Sequence, residues 1–196
     1  MLKSIGLKSS SALKGGTALR FVTDISKRHF RGSSEIELLD VGCGAGHFLR
    51  SLPPIFRGTG VDYNGLAAQS VNISYERLPF PDSSFDIATA WQVLEHLENP
   101  FFAGREIHRV LRPEGIFIFS VPNIKHIRTR MHFFLSGGIL RWNKRNDHLF
   151  VPLEAVLKKR LFQGFCMINR VYADGPAILP AHFLFAKNEY WVLQKD

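Results

Sequence analysis

A chain of 196 residues, 45% apolar and 21% charged, is long enough to form one domain with an ordinary core, and this composition excludes a disordered or fibrous chain. Its longest apolar runs, such as 115–121, are short and broken by charge, which excludes a membrane-spanning helix. The net charge of +8 favours an anionic partner, while Cys43 and Cys166 lack any CxxC or Cys/His spacing, so no metal site is expected and a reducing compartment is.

Residues 1–35 read as a flap and a helix. They carry four basic residues and no acid up to Arg20, without the continuous apolar stretch of a secretory signal, so a cytoplasmic chain is expected, with a mitochondrial presequence as the other reading. Ile36 to Val41 is a short apolar run ending in a glycine cluster, the pattern of a buried first strand feeding a turn. Phe48, Leu49 and Leu52 predict a short helix that Pro53-Pro54 stops. A second strand is expected at Gly58 to Asp62, a third at Val71 to Tyr75, and a fourth at Phe85 to Trp91, apolar enough for burial on both faces. Asn99-Pro100 starts a helix as cap and first residue, with Ala103, Ile107, Val110 and Leu111 on its inner side. Then come a fifth strand at Gly115 to Val121 and a helix opened by Pro152 and ended by Gly164, with Leu153, Val156, Leu157 and Leu161 on one side. Phe165 to Ala173 and Tyr190 to Gln194 are the last two strand candidates. This alternation predicts an α/β domain over 36–196, a mostly parallel sheet with helices on both faces and ligands beyond the carboxyl ends of its strands.

After the first strand, Gly42, Gly44 and Gly46 remove three side chains, so backbone amides and a helix start can approach a ligand closely. Asp62 ends the second strand 20 residues beyond Gly42, where a carboxylate can accept hydrogen bonds from both ribose hydroxyls. A dinucleotide fingerprint reads GxGxxG; this chain reads GxGxG with Asp40 before it and His47 in the place of the last glycine, which favours S-adenosylmethionine over a nicotinamide cofactor.

The segments DVGCGAG, GVDYN, ERLPFPDSSFDIATA, QVLEHLENP, LRPEGIFIFSVPN and the later GF, taken in order, resemble class I S-adenosylmethionine-dependent methyltransferases over about residues 36–195. The similarity is greatest to the group of ubiquinone/menaquinone-pathway and sugar-associated enzymes. This resemblance implies a Rossmann-like, doubly wound, seven-stranded sheet whose last strand is antiparallel. It also implies S-adenosylmethionine as cofactor, with Asp40, Gly42, Cys43 and Gly44 around its methionine part, Asp62 on the ribose and Tyr63 on the adenine. Tyr75 and Glu76 would lie at the adenine edge, where Ser74 replaces the family's acid, and Trp91 and Gln92 on the methionine side. Only 11 residues separate Asp62 from Ser74, so the region between strands 2 and 3 is expected to be shortened, with a shallower adenine pocket and modest affinity.

Methyl transfer from a sulfonium relies on positioning, and removal of an acceptor proton suits histidine near neutral pH. His96, after Glu95 at the mouth of the fourth strand, and His148, before the last long helix, are the candidates; His96 equally fits a packing role. A substrate-side insertion is expected at about 123–150, where no acid lies between Glu114 and Asp147 but Lys125, Arg128, Arg130, Arg141, Lys144 and Arg145 stand among apolar residues. Either it forms a basic, aromatic lid over a small, anionic, partly apolar acceptor, or its apolar side packs on the sheet. An RNA or protein methyltransferase and a non-catalytic cofactor-binding regulator are the other readings, and composition is silent on oligomeric state.

Overall fold

The computed structural model describes residues 14–63, 69–142, 147–176, 178 and 182–196. Residues 1–13 of the expected N-terminal flap and two of the basic residues, Lys144 and Arg145, lie outside them. Seven strands form one sheet: β1 (Ile36–Val41), β2 (Phe56–Asp62), β3 (Gln69–Ser70), β4 (Phe85–Trp91), β5 (Leu111–Pro122), β6 (Phe165–Ala173) and β7 (Asn188–Lys195). Their order is β3-β2-β1-β4-β5-β7-β6. The pairs from β3 through β5 are parallel, and β7 runs antiparallel to both β5 and β6. This is the Rossmann-like, mostly parallel sheet with an antiparallel last strand.

The sheet is buried on both faces, and the period of two along its strands sorts side chains between two cores. On one face Leu39, Val41, Ala88, Ala90, Phe117, Phe119, Trp191 and Leu193 meet α3 (Pro100–Val110) through Ala103, Ile107 and Val110. On the other Ile36, Leu38, Ile87, Ile116, Ile118 and Val192 meet α1 (Lys14–His29) and α2 (His47–Arg50). Ala18, Phe21, Val22 and Ile25 place the apolar stripe of α1 against that face, all at most 4% exposed. The start of α3 follows the sequence: Asn99 Oδ1 accepts the Phe102 N–H at 3.1 Å and Pro100 takes the first turn. None of the helices described is long and apolar enough to cross a membrane.

Three elements depart from expectation. The third strand is Gln69–Ser70, not Val71 to Tyr75. Val71 and Ile73 are buried, but in a turn closed by the Tyr75 and Glu76 amides on the Asn72 carbonyl, so their alternation serves a corner rather than a strand. β3 begins seven residues after β2 ends, so the sheet edge is abbreviated as expected. The last helix begins at Glu154 rather than Pro152: α5 (Glu154–Val156) runs into a wide turn over Leu157–Leu161, and Leu153 stays exposed. Finally, α4 (Ile127–Ser136) buries none of its side chains, so the reading in which its apolar residues pack on the sheet fails; Met131, Phe133, Phe134 and Leu135 all face solvent.

Candidate functional site

The carboxyl ends of β1, β2 and β4 lie side by side, and the glycine loop leaves β1 between them. Gly42 sits at φ +71°, and a Cβ there would stand 2.4 Å from a Val93 methyl carbon, so the position admits glycine alone. The Gly42 and Cys43 amides donate to the Val61 carbonyl at 2.8 and 3.1 Å, and Gly44 N–H donates to Asp62 Oδ2 at 2.7 Å. The loop is thus tied to the end of β2 and is shaped before any ligand arrives.

Asp40 is 2% exposed and accepts the Thr89 hydroxyl at 2.7 Å. Burial pushes its carboxyl up to about 7; the Thr89 hydrogen bond opposes this and the Asp62 charge adds to it. Burial together with the Asp40 and Asp62 charges raises the Cys43 thiol to about 11, which makes it a neutral packing group rather than a nucleophile.

The other expected cofactor residues are spread more widely. Tyr63 follows β2 and is 75% exposed. Tyr75 is exposed and its hydroxyl donates to Glu98, while Glu76 Oε2 accepts the Asn72 N–H at 2.8 Å and so closes its own turn. The ring of Trp91 packs between Phe48 and Tyr190 in the core layer beneath α1 and α2, and its indole N–H is buried without a hydrogen-bond partner. Gln92 adopts φ +56° and is held to the end of β5, its amide donating to the Ser120 carbonyl at 3.1 Å and its side chain to the Ser120 hydroxyl at 3.2 Å. A non-glycine residue in this conformation is uncommon and marks a turn the surroundings impose.

At the mouth beyond β4 the two histidines come together. Their rings are 4.7 Å apart, and the His148 ring is also 4.9 Å from that of Trp142. Glu95, absent from the sequence candidates, joins them. It is fully buried, both of its carboxylate oxygens lack a hydrogen-bond partner among the described residues, and burial pushes it up to about 8. Burial first, then the His96 and Arg141 charges, lower His148. The Glu95 carbonyl accepts the Leu149 and Phe150 amides at 2.7 and 3.0 Å, which pins the segment carrying His148 to the short turn Leu94–His96. The adjacency of an acid and a histidine just past a buried strand was the available signal.

The expected basic face divides. Lys125 is not directed to solvent but pairs with Glu154 at 2.8 Å, as does Arg170, and Glu154 is held down at about 2 by the Lys125, Lys158 and Arg170 side chains. Arg130 stays with α4, its guanidinium 5.9 Å from the Phe183 ring centre. A shallow apolar groove beside it is lined by Ile124, Thr129, Phe133, Phe134 and Ile139.

Known proteins resemble this chain in part of its sequence and in its fold. Residues 39–119, from β1 into β5, match the profile of a family described as a methyltransferase domain. A probable S-adenosylmethionine-dependent methyltransferase of Mycolicibacterium smegmatis is 35% identical over 98 residues, covering 44% of this chain and 38% of that protein. The chain therefore spans only about two fifths of that curated relative. Among solved structures, an S-adenosylmethionine-dependent methyltransferase from Mesorhizobium loti aligns with a TM-score of 0.63 at 15% identity, covering 97% of this chain and all of the other (100%). The cyclase SpnF aligns at 0.64 and 19% identity, covering 96% and 85%. Residues 39–119 thus match a methyltransferase domain in sequence, and the sheet has the fold of S-adenosylmethionine-dependent methyltransferases of known structure.

Proposed function

We propose that the chain binds S-adenosylmethionine across the ends of β1, β2 and β4 and methylates a small acceptor held at the Glu95, His96 and His148 mouth. The observation that carries this reading is the left-handed Gly42 and Gly44 loop, packed on Val93 at Gly42 and bonded to Asp62 at Gly44. Asp40 faces the same loop, and its carboxylate suits the cationic methionine part; Asp62 suits the ribose hydroxyls, with Tyr63 and the Tyr75 and Glu76 turn toward the adenine and Trp91 and Gln92 at the methionine end. When bound, the cofactor supplies an electrophilic methyl group on a good leaving group.

The chain's own contribution is to place the acceptor in line and to take up its proton. The Glu95, His96 and His148 cluster, at the end of β4 where the methyl group emerges, is positioned for both. The exposed apolar side of α4 together with Arg128, Arg130 and Arg141 favours an acceptor that is anionic and partly apolar. Titration calorimetry with S-adenosylmethionine, run beside a methylation assay over carboxylated, phosphorylated and glycosylated acceptors, tests this. Saturable binding lost in Asp62→Ala and turnover on an anionic acceptor are expected. Binding without turnover on any acceptor points instead to a regulatory subunit, and no binding defeats the proposal.

A further inference from the structure

We propose that Glu95, His96 and His148 form a binding site for one divalent transition-metal ion, which holds and activates the acceptor oxygen. One ligand atom from each side chain lies within 4.8 Å of the others, so a modest adjustment closes all three around a single ion. The set is drawn from two segments far apart in sequence, yet both are fixed: the Glu95 carbonyl takes the Leu149 and Phe150 amides, and Trp142, whose ring lies against His148, donates its indole N–H to the Phe150 carbonyl at 3.2 Å.

The polar atoms at this site lack the partners that an ordinary buried cluster has. Glu95 is 0% exposed, and among the described residues neither of its carboxylate oxygens has a hydrogen-bond partner. The same is true of His148 Nδ1, which is buried and unpartnered. The Arg141 charge acts on Glu95 without a hydrogen bond to it, and a buried carboxylate without donors stays costly unless a cation closes on it directly. His96 supplies the complementary device. Its Nδ1 lies 3.0 Å from the Asp147 carbonyl, a contact that places the proton on Nδ1 and leaves Nε2 with its lone pair, as carbonyl-oriented metal-binding histidines do. Two imidazoles and one carboxylate suit manganese, iron, cobalt or zinc better than magnesium or calcium, and three protein ligands leave coordination positions open.

The inference deepens the function proposed above and rests on its placement of the acceptor at this mouth. An acceptor hydroxyl occupying an open position has its pKa lowered by the ion and releases its proton to solvent. The oxygen lone pair then forms the new carbon–oxygen bond as the carbon–sulfur bond breaks, and the sulfur leaves as a neutral thioether. The imidazoles act as ligands in this scheme rather than as free bases, and the acceptor class narrows to hydroxyl compounds.

The test uses the full chain without a histidine tag, stripped by chelator. Co2+ is titrated while its visible d–d absorption is followed, and Mn2+ while the free-ion paramagnetic resonance signal is followed. One ion per chain is expected, with affinity about 10- to 100-fold weaker or worse in His96→Asn, His148→Asn and Glu95→Gln. Circular dichroism identifies any variant that does not fold; the two histidines are partly exposed, so the double His96→Asn/His148→Asn variant carries the test if Glu95→Gln collapses. Absence of saturable Co2+ binding, or binding that survives in the double variant, overturns the site. S-adenosylmethionine affinity is measured on the same samples: Asp62→Ala should lose the cofactor and keep the metal, so failure of the metal site and failure of the methyl-donor reading are distinguishable.

Discussion

The two ends of the proposed reaction are built differently. At the donor end, Gly42, Cys43 and Gly44 are bonded to β2, Asp40 is bonded to Thr89, and the geometry is complete in the isolated chain. On the acceptor side, α4 turns Phe134 and Leu135 to solvent at 88% and 78% exposure, and Glu95 has buried oxygens that no group among the described residues satisfies. A preformed donor end suits a constant cofactor. An exposed apolar helix beside an unsatisfied carboxylate suits a partner that supplies the missing contacts when it binds.

The largest expected effect is at the donor end. Gly42→Val places a β-branched side chain at positive φ and against Val93, and should cost at least about 3 kcal/mol in urea unfolding while abolishing cofactor binding. A near-native midpoint would show that the loop is pliable, and the comparison would break. Asp62→Ala comes next. Loss of two charged hydrogen bonds to the ribose should weaken S-adenosylmethionine by about 100-fold or more in calorimetry.

Asp40 sharpens the comparison through pH. Its carboxyl is pushed up to about 7 in the folded chain, so it contributes stability that is fully present below its unfolded value and is lost as pH rises through about 7. The cationic cofactor favours the ionised form, so binding should expel a proton below pH 7 and tighten by up to about tenfold per pH unit there, then level off. Calorimetry in buffers of different ionisation enthalpy reads the released proton. Asp40→Asn should remove the slope and stabilise the ligand-free chain above pH 7. The smallest effect is expected on α4: Phe134→Ser should move stability by less than about 0.5 kcal/mol. It should raise KM for an apolar acceptor while leaving kcat near its starting value in a steady-state assay. Destabilisation there would mean that α4 packs after all.

The boundaries of β1 and β4 were legible to the residue because runs such as 85–91 are buried on both faces and end at turn residues, and those of the less buried edge strand β6 because Gly164 and Asp174-Gly175 flank it. Asn99-Pro100 was legible because the cap chemistry is local. Val71 and Ile73 misled because a buried corner and a strand leave the same alternating pattern over a few residues. Lys125 misled because its partner, Glu154, lies beyond the acid-free stretch and reaches it only through the fold. Glu95 stands beside His96 in the sequence, but its burial was not legible, for the same reason. What buries it includes the backbone of 149–150, more than fifty residues downstream, and neither sequence neighbour announces that contact.

The order of the sheet also has a consequence for synthesis. β6 is made before β7, yet β7 lies between it and β5. Until Asn188–Lys195 has left the ribosome, β6 has no neighbour to join, and β5 exposes an open edge over Ile116–Pro122 whose register belongs to β7. A nascent chain paused in that interval presents an apolar strand ready to pair with any other extended segment, including another copy of itself. The interval between these two strands is therefore the one in which chaperone occupancy should matter most.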